Sequence, residues 1–471
     1  MMRASGILLP VSALPSDYGI GDFGRNAFEF VKLLKQGGFK LWQILPLNPL
    51  GYGHSPYQPF SSYAIDELYF NIASLTEEKL EPTSKINYEE IAYKKHEILY
   101  KSFMDSKEKD HKRTLSFLKK NEWVKAWSLF MMLKRKNAMA AWHTWPKEDQ
   151  EAINHDTLEL VPEREYEIWV QMKLYEQWMA IKKFANRNGI RIIGDVPFYV
   201  GFDSCDVYAN QDSFLLDEHT KEPTFIAGVP PDYFSADGQR WGNPIYNWDL
   251  YEKNGFSFLF NRLKGNASLY DVVRLDHFRA FDTFWKIPSS CPTAKEGEWI
   301  EAPGHKFFDL LKKKLKGTEI IAEDLGELRP EVYTLRDAYD FPGMNVLEFT
   351  FEDVNFDDKK ENMVAYIGTH DNDPFEGFAS KMSEEQKEKW LLALKGYEGE
   401  TLREKVIDYL LALPAKYAIL SMQDVLGLGS ETRLNTPSII NSDNWTWKME
   451  GFESFIALLP KLKESNKRHK R

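Results

Sequence analysis

Cysteine is almost missing from this 471-residue chain, which has only Cys205 and Cys291, and no metal-ligand spacing surrounds either. A disulfide scaffold is excluded, and a reducing, cytoplasmic setting is expected. Long apolar runs are missing too. Ile7-Leu8-Leu9-Pro10-Val11 is too short and too broken for a signal peptide or membrane span, and no other segment approaches spanning length, so no membrane partner is expected. Nor is there an excess of positive charge. Asp and Glu outnumber Lys and Arg by 71 to 60, a net charge of −11. A nucleic-acid groove is therefore not expected, because phosphate binding needs a basic stripe. The basic residues 461–471 read as a solvated tail.

Glycine does not occur between residues 54 and 188. Gly normally punctuates the loops of an α/β fold, so this Lys- and Glu-rich stretch predicts a mostly helical insertion. In its last helix Ile168, Met172, Tyr175 and Met179 share one face, expected to be core, and Gly189 ends it. Around the insertion the pattern is strand and helix in alternation. Short apolar runs at 6–15, 41–46, 190–196, 271–276, 319–324, 344–349, 365–369 and 418–425 read as eight strands. Ala27, Phe30, Val31 and Leu34 follow helical spacing, with Gly37-Gly38 as the stop. Ser383-Glu384-Glu385-Gln386 and Thr401-Leu402-Arg403-Glu404 read as capping boxes. Eight strands alternating with helices predict an α/β fold, a (β/α)8 TIM barrel. Residues 201–247 show no periodicity and many turn formers, a length of loop that is usually functional.

Aromatics make up 14% of the chain, including 14 Trp, which suits stacking on sugar rings as well as ordinary core packing. The ionisable residues are more telling. Arg274 and Asp276 lie two apart on a strand and so point the same way. A guanidinium there is expected to hold the carboxylate ionised; taken alone, the pair could equally be a structural ion pair. Yet Asp195, Asp276, Glu323 and the His370-Asp371 pair all follow predicted strands, at the end where such barrels carry their active sites. Two carboxylates on one cleft suit glycoside chemistry, one attacking and one protonating, if their surroundings push the two pKa values apart. Asp276 is then the nucleophile, and Glu323, behind apolar residues, the proton donor. Asp371 and His370 would orient sugar hydroxyls. Asp195 either binds sugar or braces the strand ends. A metal site at His370, Asp371 and Asp373 is not expected, since no second His-rich segment supplies ligands.

Arg274-Leu275-Asp276-His277-Phe278-Arg279, Ile321-Ala322-Glu323-Asp324-Leu325-Gly326 and Gly368-Thr369-His370-Asp371-Asn372-Asp373 resemble signature blocks of the 4-α-glucanotransferases (amylomaltase or disproportionating enzyme). These form glycoside hydrolase family 77 in the α-amylase clan. The likeness extends to Trp42-Gln43-Ile44-Leu45-Pro46-Leu47, Gly51-Tyr52-Gly53-His54-Ser55-Pro56-Tyr57 and Gly194-Asp195-Val196-Pro197-Phe198-Tyr199-Val200, and covers nearly the whole chain.

The resemblance implies a single (β/α)8 catalytic domain over 1–471, with mostly helical inserted subdomains and no C-terminal β-domain. A helical insertion at 54–165 follows strand 2, and a loop-rich insertion at 197–260 follows strand 3 and forms a substrate flap. It implies Asp276 as nucleophile, Glu323 as acid/base and Asp371 as third essential acid. Tyr57, Asp195, Asp232, Tyr233, Phe234, Trp241, Arg274, His277 and His370 would bind substrate. The implied partners are α-1,4-glucans and maltooligosaccharides, with glucose as an acceptor and no cofactor. A hydrolase, or a glucan-binding protein without turnover, is the alternative. The chain departs from the family where Ile65-Asp66 follows Ser62-Tyr63-Ala64 in place of Asn-Pro, which puts the local geometry in question, and at Ala280, where Gly is frequent.

Overall fold

The computed structural model describes residues 3–79, 83–231, 235–350, 360–437, 439 and 441–471. Twelve strands lie along the described residues: β1 (Ala4–Leu8), β2 (Leu41–Gln43), β3 (Arg191–Val196), β4 (Phe225–Val229), β5 (Gln239–Pro244), β6 (Val272–Leu275), β7 (Thr283–Pro288), β8 (Glu298–Glu301), β9 (Glu319–Ala322), β10 (Gly343–Val346), β11 (Met363–Tyr366) and β12 (Tyr417–Ser421). Eight of them pair in the order β10-β11-β12-β1-β2-β3-β6-β9, every pair parallel. Ala322 N donates to Pro342 O at 2.9 Å where β9 meets the start of β10. With helices between the strands, this is the (β/α)8 barrel that the alternation predicts.

Strand alternation decides what fills it. Leu8, Leu41, Ile193, Val272, Ile321, Val346, Val364, Tyr366 and Ile419 pack together inside. Val273 and Leu275 pack outward with the main core. Arg274 therefore shares the inner side with Val272, and Asp195 with Ile193. On the outer side of β3 the backbone of Gly194 lies against Tyr270, so closely that a Cβ there would come within 2.1 Å of the ring. The helix Arg25–Gln36 buries Ala27, Phe30, Val31 and Leu34. Both capping boxes form, at Ser383 and Thr401.

Several predicted strands overshoot at their C-terminal ends. β10 stops at Val346, β11 at Tyr366, and β12 at Ser421, whose hydroxyl accepts from Asp424 N at 3.0 Å and starts the helix Met422–Leu426. Apolar residues continue through each boundary, and periodicity does not separate a buried strand from a short buried helix.

Between β2 and β3 the long helices are Tyr88–Lys120, Trp123–Lys136 and Pro162–Arg187. Ile168 and Met172 are buried as expected, but Met179 is 41% exposed. The buried stripe continues through Trp178, Ile181 and Ala185 instead. Lys134, fully buried, pairs with Asp203 of the loop after β3 at 2.5 Å. Arg135 bonds Glu167 at 3.0 Å and Glu67 at 3.3 Å. Both tie this helical region to the barrel rim.

Residues 201–247, which show no periodicity in the sequence, hold the helix Cys205–Ala209 and the strands β4 and β5. These join β7 and β8 in an antiparallel sheet ordered β5-β4-β7-β8. β4 and β5 form a local hairpin without alternation in their sequence, and β4 gains its other partner, β7, only across the intervening β6. The C-terminal residues are a second correction. Glu453–Arg468 is one helix that buries Phe455, Leu459, Leu462, Ser465 and Asn466, not a solvated tail. Ser5 Oγ bonds Asn466 Oδ1 at 2.5 Å and Asn466 Nδ2 donates to Gly37 O at 2.9 Å. The Lys and Arg residues lie on the remaining face, so charge count alone misjudged the segment. Among the described residues no helix is long and apolar enough to cross a membrane.

Candidate active site

Leu275 at the end of β6 is the register partner of Ala322 at the end of β9. Asp276 and Glu323 are each one residue further, on adjacent strands about 4.8 Å apart. The crossing is stitched by Glu323 N to Leu275 O and Phe278 N to Glu323 O, both 3.0 Å. Asp276 N donates to Val196 O at 3.1 Å on the other side, towards β3.

On the floor of this cleft Arg274 is the register partner of Asp195. Its Nη1 donates to both Asp195 oxygens, at 2.8 and 2.7 Å, and to Asp276 Oδ1 at 3.2 Å. Tyr57 OH donates to Asp195 Oδ2 at 2.7 Å. Asp195 is 1% exposed, so it braces the arginine and the tyrosine.

Tyr57 stacks on His370, with ring centroids 5.2 Å apart and planes at 12°. Trp445 lies beside both rings, at 5.9 and 6.0 Å. His370 Nε2 is 3.4 Å from Asp371 Oδ2. Asp371, whose side chain is 43% exposed, faces the cleft opening. Asn435 Nδ2 holds its Oδ1 at 2.6 Å, and Arg433 bonds its carbonyl.

On the opposite wall the His277 ring meets Trp241 edge-on at 4.9 Å. Gln58 donates to Trp241 O at 3.0 Å and Asn243 Oδ1 at 2.9 Å, which links the Tyr57 loop to β5. Asp66, the departure from the family pattern, is buried. It accepts from Leu50 N at 2.8 Å and Leu68 N at 2.9 Å, so it braces that same loop from within. Ala280 is buried in the core.

Burial sets the electrostatics. It raises the Asp276 carboxyl to about 7, with Arg274 opposing and Asp195 and Asp371 reinforcing. It raises Glu323 further, to about 8, opposed by Arg274 and reinforced by Asp276. Two residues away in the chain, Arg274 is expected to hold Asp276 ionised. In the structure the guanidinium is engaged first by Asp195, and its pull on Asp276 does not offset the desolvation. The order of the pair survives: the one proton at neutral pH belongs on Glu323. Burial opposes charge on Arg274, but Asp195, Tyr57, Asp276 and Glu323 outweigh it, and its pKa rises. Burial also lowers the His370 imidazole and, together with Arg279, lowers His277 to about 4.

Tyr57, Asp195, Trp241, Arg274, Asp276, His277, Glu323, His370 and Asp371 are thus gathered at one end of the barrel. Asp232, Tyr233 and Phe234 lie outside the described residues. Three residues were missed in the sequence. Asn435 and Trp445 carry no local signal. Glu348 lies two residues beyond Val346 of β10. Burial raises its carboxyl to about 7, against its hydrogen bond to Asn372. Asn372 Oδ1 in turn accepts from Thr369 N at 2.9 Å, which secures the turn before His370. The strand-end position of Glu348 was the available signal.

A profile of glycoside hydrolase family 77, the 4-alpha-glucanotransferases, matches residues 9–454. The chain belongs to this family. It is 39% identical to the 4-alpha-glucanotransferase of Thermus thermophilus over 95% of both chains, and 36% identical to the chloroplastic/amyloplastic 4-alpha-glucanotransferase of Solanum tuberosum over 97% of this chain and 84% of the relative. The amylomaltase of Streptococcus agalactiae, solved with acarbose, superposes with a TM-score of 0.93 at 34% identity, covering 100% and 99% of the two chains. The Corynebacterium glutamicum amylomaltase, 16% identical with a TM-score of 0.77, shares the fold over 100% of this chain and 75% of its own. This 4-alpha-glucanotransferase is an enzyme of glucan transglycosylation, and its cleft is the place to locate that chemistry.

Proposed function

We propose that this 4-alpha-glucanotransferase moves α-1,4-linked glucanyl units between maltooligosaccharides by a retaining double displacement. Asp276 is the nucleophile, Glu323 the acid/base, and Asp371 the stabiliser of the transition state. One observation carries the reading: Asp276 and Glu323 stand one residue past paired strand ends, with Arg274 below them and unequal proton affinities. Asp276 attacks the anomeric carbon while Glu323 protonates the departing oxygen, a step worth about 10²–10⁴ in rate. Glu323, now anionic, takes the proton from the 4-hydroxyl of the incoming sugar as it displaces Asp276. Asp371, oriented by Asn435 and His370, bonds ring hydroxyls whose hydrogen bonds strengthen as the ring distorts.

Arg274 and Asp195 hold the floor, Tyr57 offers a ring to the sugar at the cleavage point, and Trp241 with His277 lines the other wall. In this reading glucose is the smallest acceptor. The 197–260 segment, with Asp232, Tyr233 and Phe234, closes over the glucan and limits water. The free thiols of Cys205 and Cys291 fit a cytoplasmic enzyme.

Incubation with maltotriose tests the proposal. Glucose together with a ladder of longer maltooligosaccharides supports transfer; glucose and maltose alone mean hydrolysis, and unchanged substrate means binding without turnover. Asp276→Ala should abolish turnover and leave glucan binding intact.

A further inference from the structure

Trp299 on β8 stands apart from the other indoles as 37% exposed, on a strand whose neighbours Glu298 and Glu301 have side chains 62% and 83% exposed. Its cross-strand partner is Trp285, and the two rings meet edge to face at 5.1 Å with their planes at 60°. Trp285 is fixed in turn by an indole N–H bond to Ala294 O at 2.8 Å. The Arg279 guanidinium lies over the Trp299 ring at 3.7 Å. Among the described residues no acceptor takes the Trp299 indole N–H.

The indole is joined to the cleft through this arginine. Arg279 follows Asp276 by three residues and donates to Glu327 O, four residues past Glu323. It therefore bridges the two loops that carry the reacting carboxyls. Further bonds make the attachment rigid: Ala302 N to Asp282 O at 2.8 Å, and Arg329 to Asp282 at 2.6 Å. The same sheet is tied to the base of the 230–238 segment, by Ala294 N to Asp237 O at 2.9 Å and Lys295 to Asp237 at 2.5 Å.

We infer that Trp299 is a stacking platform for a distal glucose unit of a long α-glucan, outside the cleavage site and continuous with it. This rests on the proposed glucan-transfer reading and extends it to chain length. A pyranose presents a flat C–H face that an indole matches in size. A ring held from behind by a guanidinium and from the side by a second indole loses little freedom on binding. Glu301, two residues further along and so on the same face of the strand, and the indole N–H are set to bond hydroxyls around its rim. A nucleic acid fits less well, since the cations beside the platform are already paired, Lys286 with Glu298 at 2.8 Å and Arg329 with Asp282 at 2.6 Å.

The test compares wild type, Trp299→Ala and Trp299→Phe on maltotriose, a short donor, and on amylose, a long one. Trp299→Ala should raise KM for amylose by about 3- to 10-fold with kcat unchanged, leave maltotriose kinetics as they were, and be partly rescued in Trp299→Phe. An unchanged KM for amylose overturns the inference. So does an equal fall in kcat on both substrates, which would make Trp299 a brace for Arg279. The mobility of inactive Asp276→Asn in amylose-containing gels, with and without Trp299→Ala, reads the platform separately from turnover. Retardation lost with the indole while wild type leaves maltotriose untouched would sink the catalytic reading and keep this one.

Discussion

The backbone N–H of His277 donates to Glu323 Oε2 at 2.6 Å, and His277 adopts φ 46 in doing so. A left-handed conformation costs a residue with a Cβ about 1–2 kcal/mol, which the surrounding loop must over-determine. The bond occupies one carboxyl oxygen and leaves the other to carry the proton. Gly and Asn adopt this conformation readily; a β-branched residue does not. His277→Gly should therefore keep most of kcat, and His277→Val should lose about 10- to 100-fold through misplacement of Glu323. Initial rates on maltotriose decide; equal losses in both variants would assign the effect to the ring.

The pair Asp276 and Glu323 dictates a narrow pH optimum. Below about 7 Asp276 takes up a proton and the nucleophile is lost. Above about 8 Glu323 gives up its proton and the general acid is lost. kcat/KM should be bell-shaped with limbs that belong to the pair as a whole. Glu323→Gln should cut kcat on maltotriose by about 10²–10⁴. On a glucosyl fluoride donor, which leaves without a proton, the first step should recover, and turnover should follow only when an anionic nucleophile such as azide replaces the sugar acceptor that Glu323 would deprotonate. An acid limb that stays flat from pH 7 down to about 5 would refute the assignment of Asp276.

The same shift predicts a stability effect of defined sign. A carboxyl whose folded pKa is raised binds its proton more tightly in the native state. Between roughly 4, its unfolded value, and about 8, the native state holds more protons, and stability falls as pH rises. Glu323→Gln removes that penalty. Its melting temperature should exceed wild type by about 2–4 °C at pH 8 and converge with it near pH 4. Calorimetry at the two pH values checks this; a destabilised variant at pH 8 would refute it.

Asp195 is nearly inaccessible and carries both Arg274 and Tyr57, so its loss leaves a buried guanidinium half-paired. Asp195→Ala should destabilise the fold by about 3–5 kcal/mol, measured by urea unfolding. Asn435→Ala removes one neutral donor from Asp371 and should cost about 1–2 kcal/mol of transition-state stabilisation. That loss should appear in kcat rather than in stability. An Asn435→Ala enzyme with wild-type kcat would show that Asp371 needs no such orientation.

Much of this was legible in the sequence because it is local. Strand alternation put Arg274 and Asp276 on one side, glycine depletion marked residues 54–188, and both capping boxes formed where Ser383-x-x-Gln386 and Thr401-x-x-Glu404 place them. The family blocks were contiguous stretches for the same reason, each strand end with its following loop. Other features depended on partners far away in the chain. β4 and β5 pair with each other across a short connection, but β4 gains its second partner only once β7 is brought beside it. The C-terminal helix looked like a solvated tail because burial of Leu462 and Asn466 is decided by β1 and by the first helix, not by its lysines. Arg274 was expected to serve Asp276 two residues away, but the folded barrel gives it first to Asp195, 79 residues distant. Asn435 and Trp445 reached the site in the same unannounced way. The residue order fixes periodicity, caps and chemical types, whereas the pKa order of the carboxyls and the pairing of buried charges arise only when water is excluded and distant groups meet.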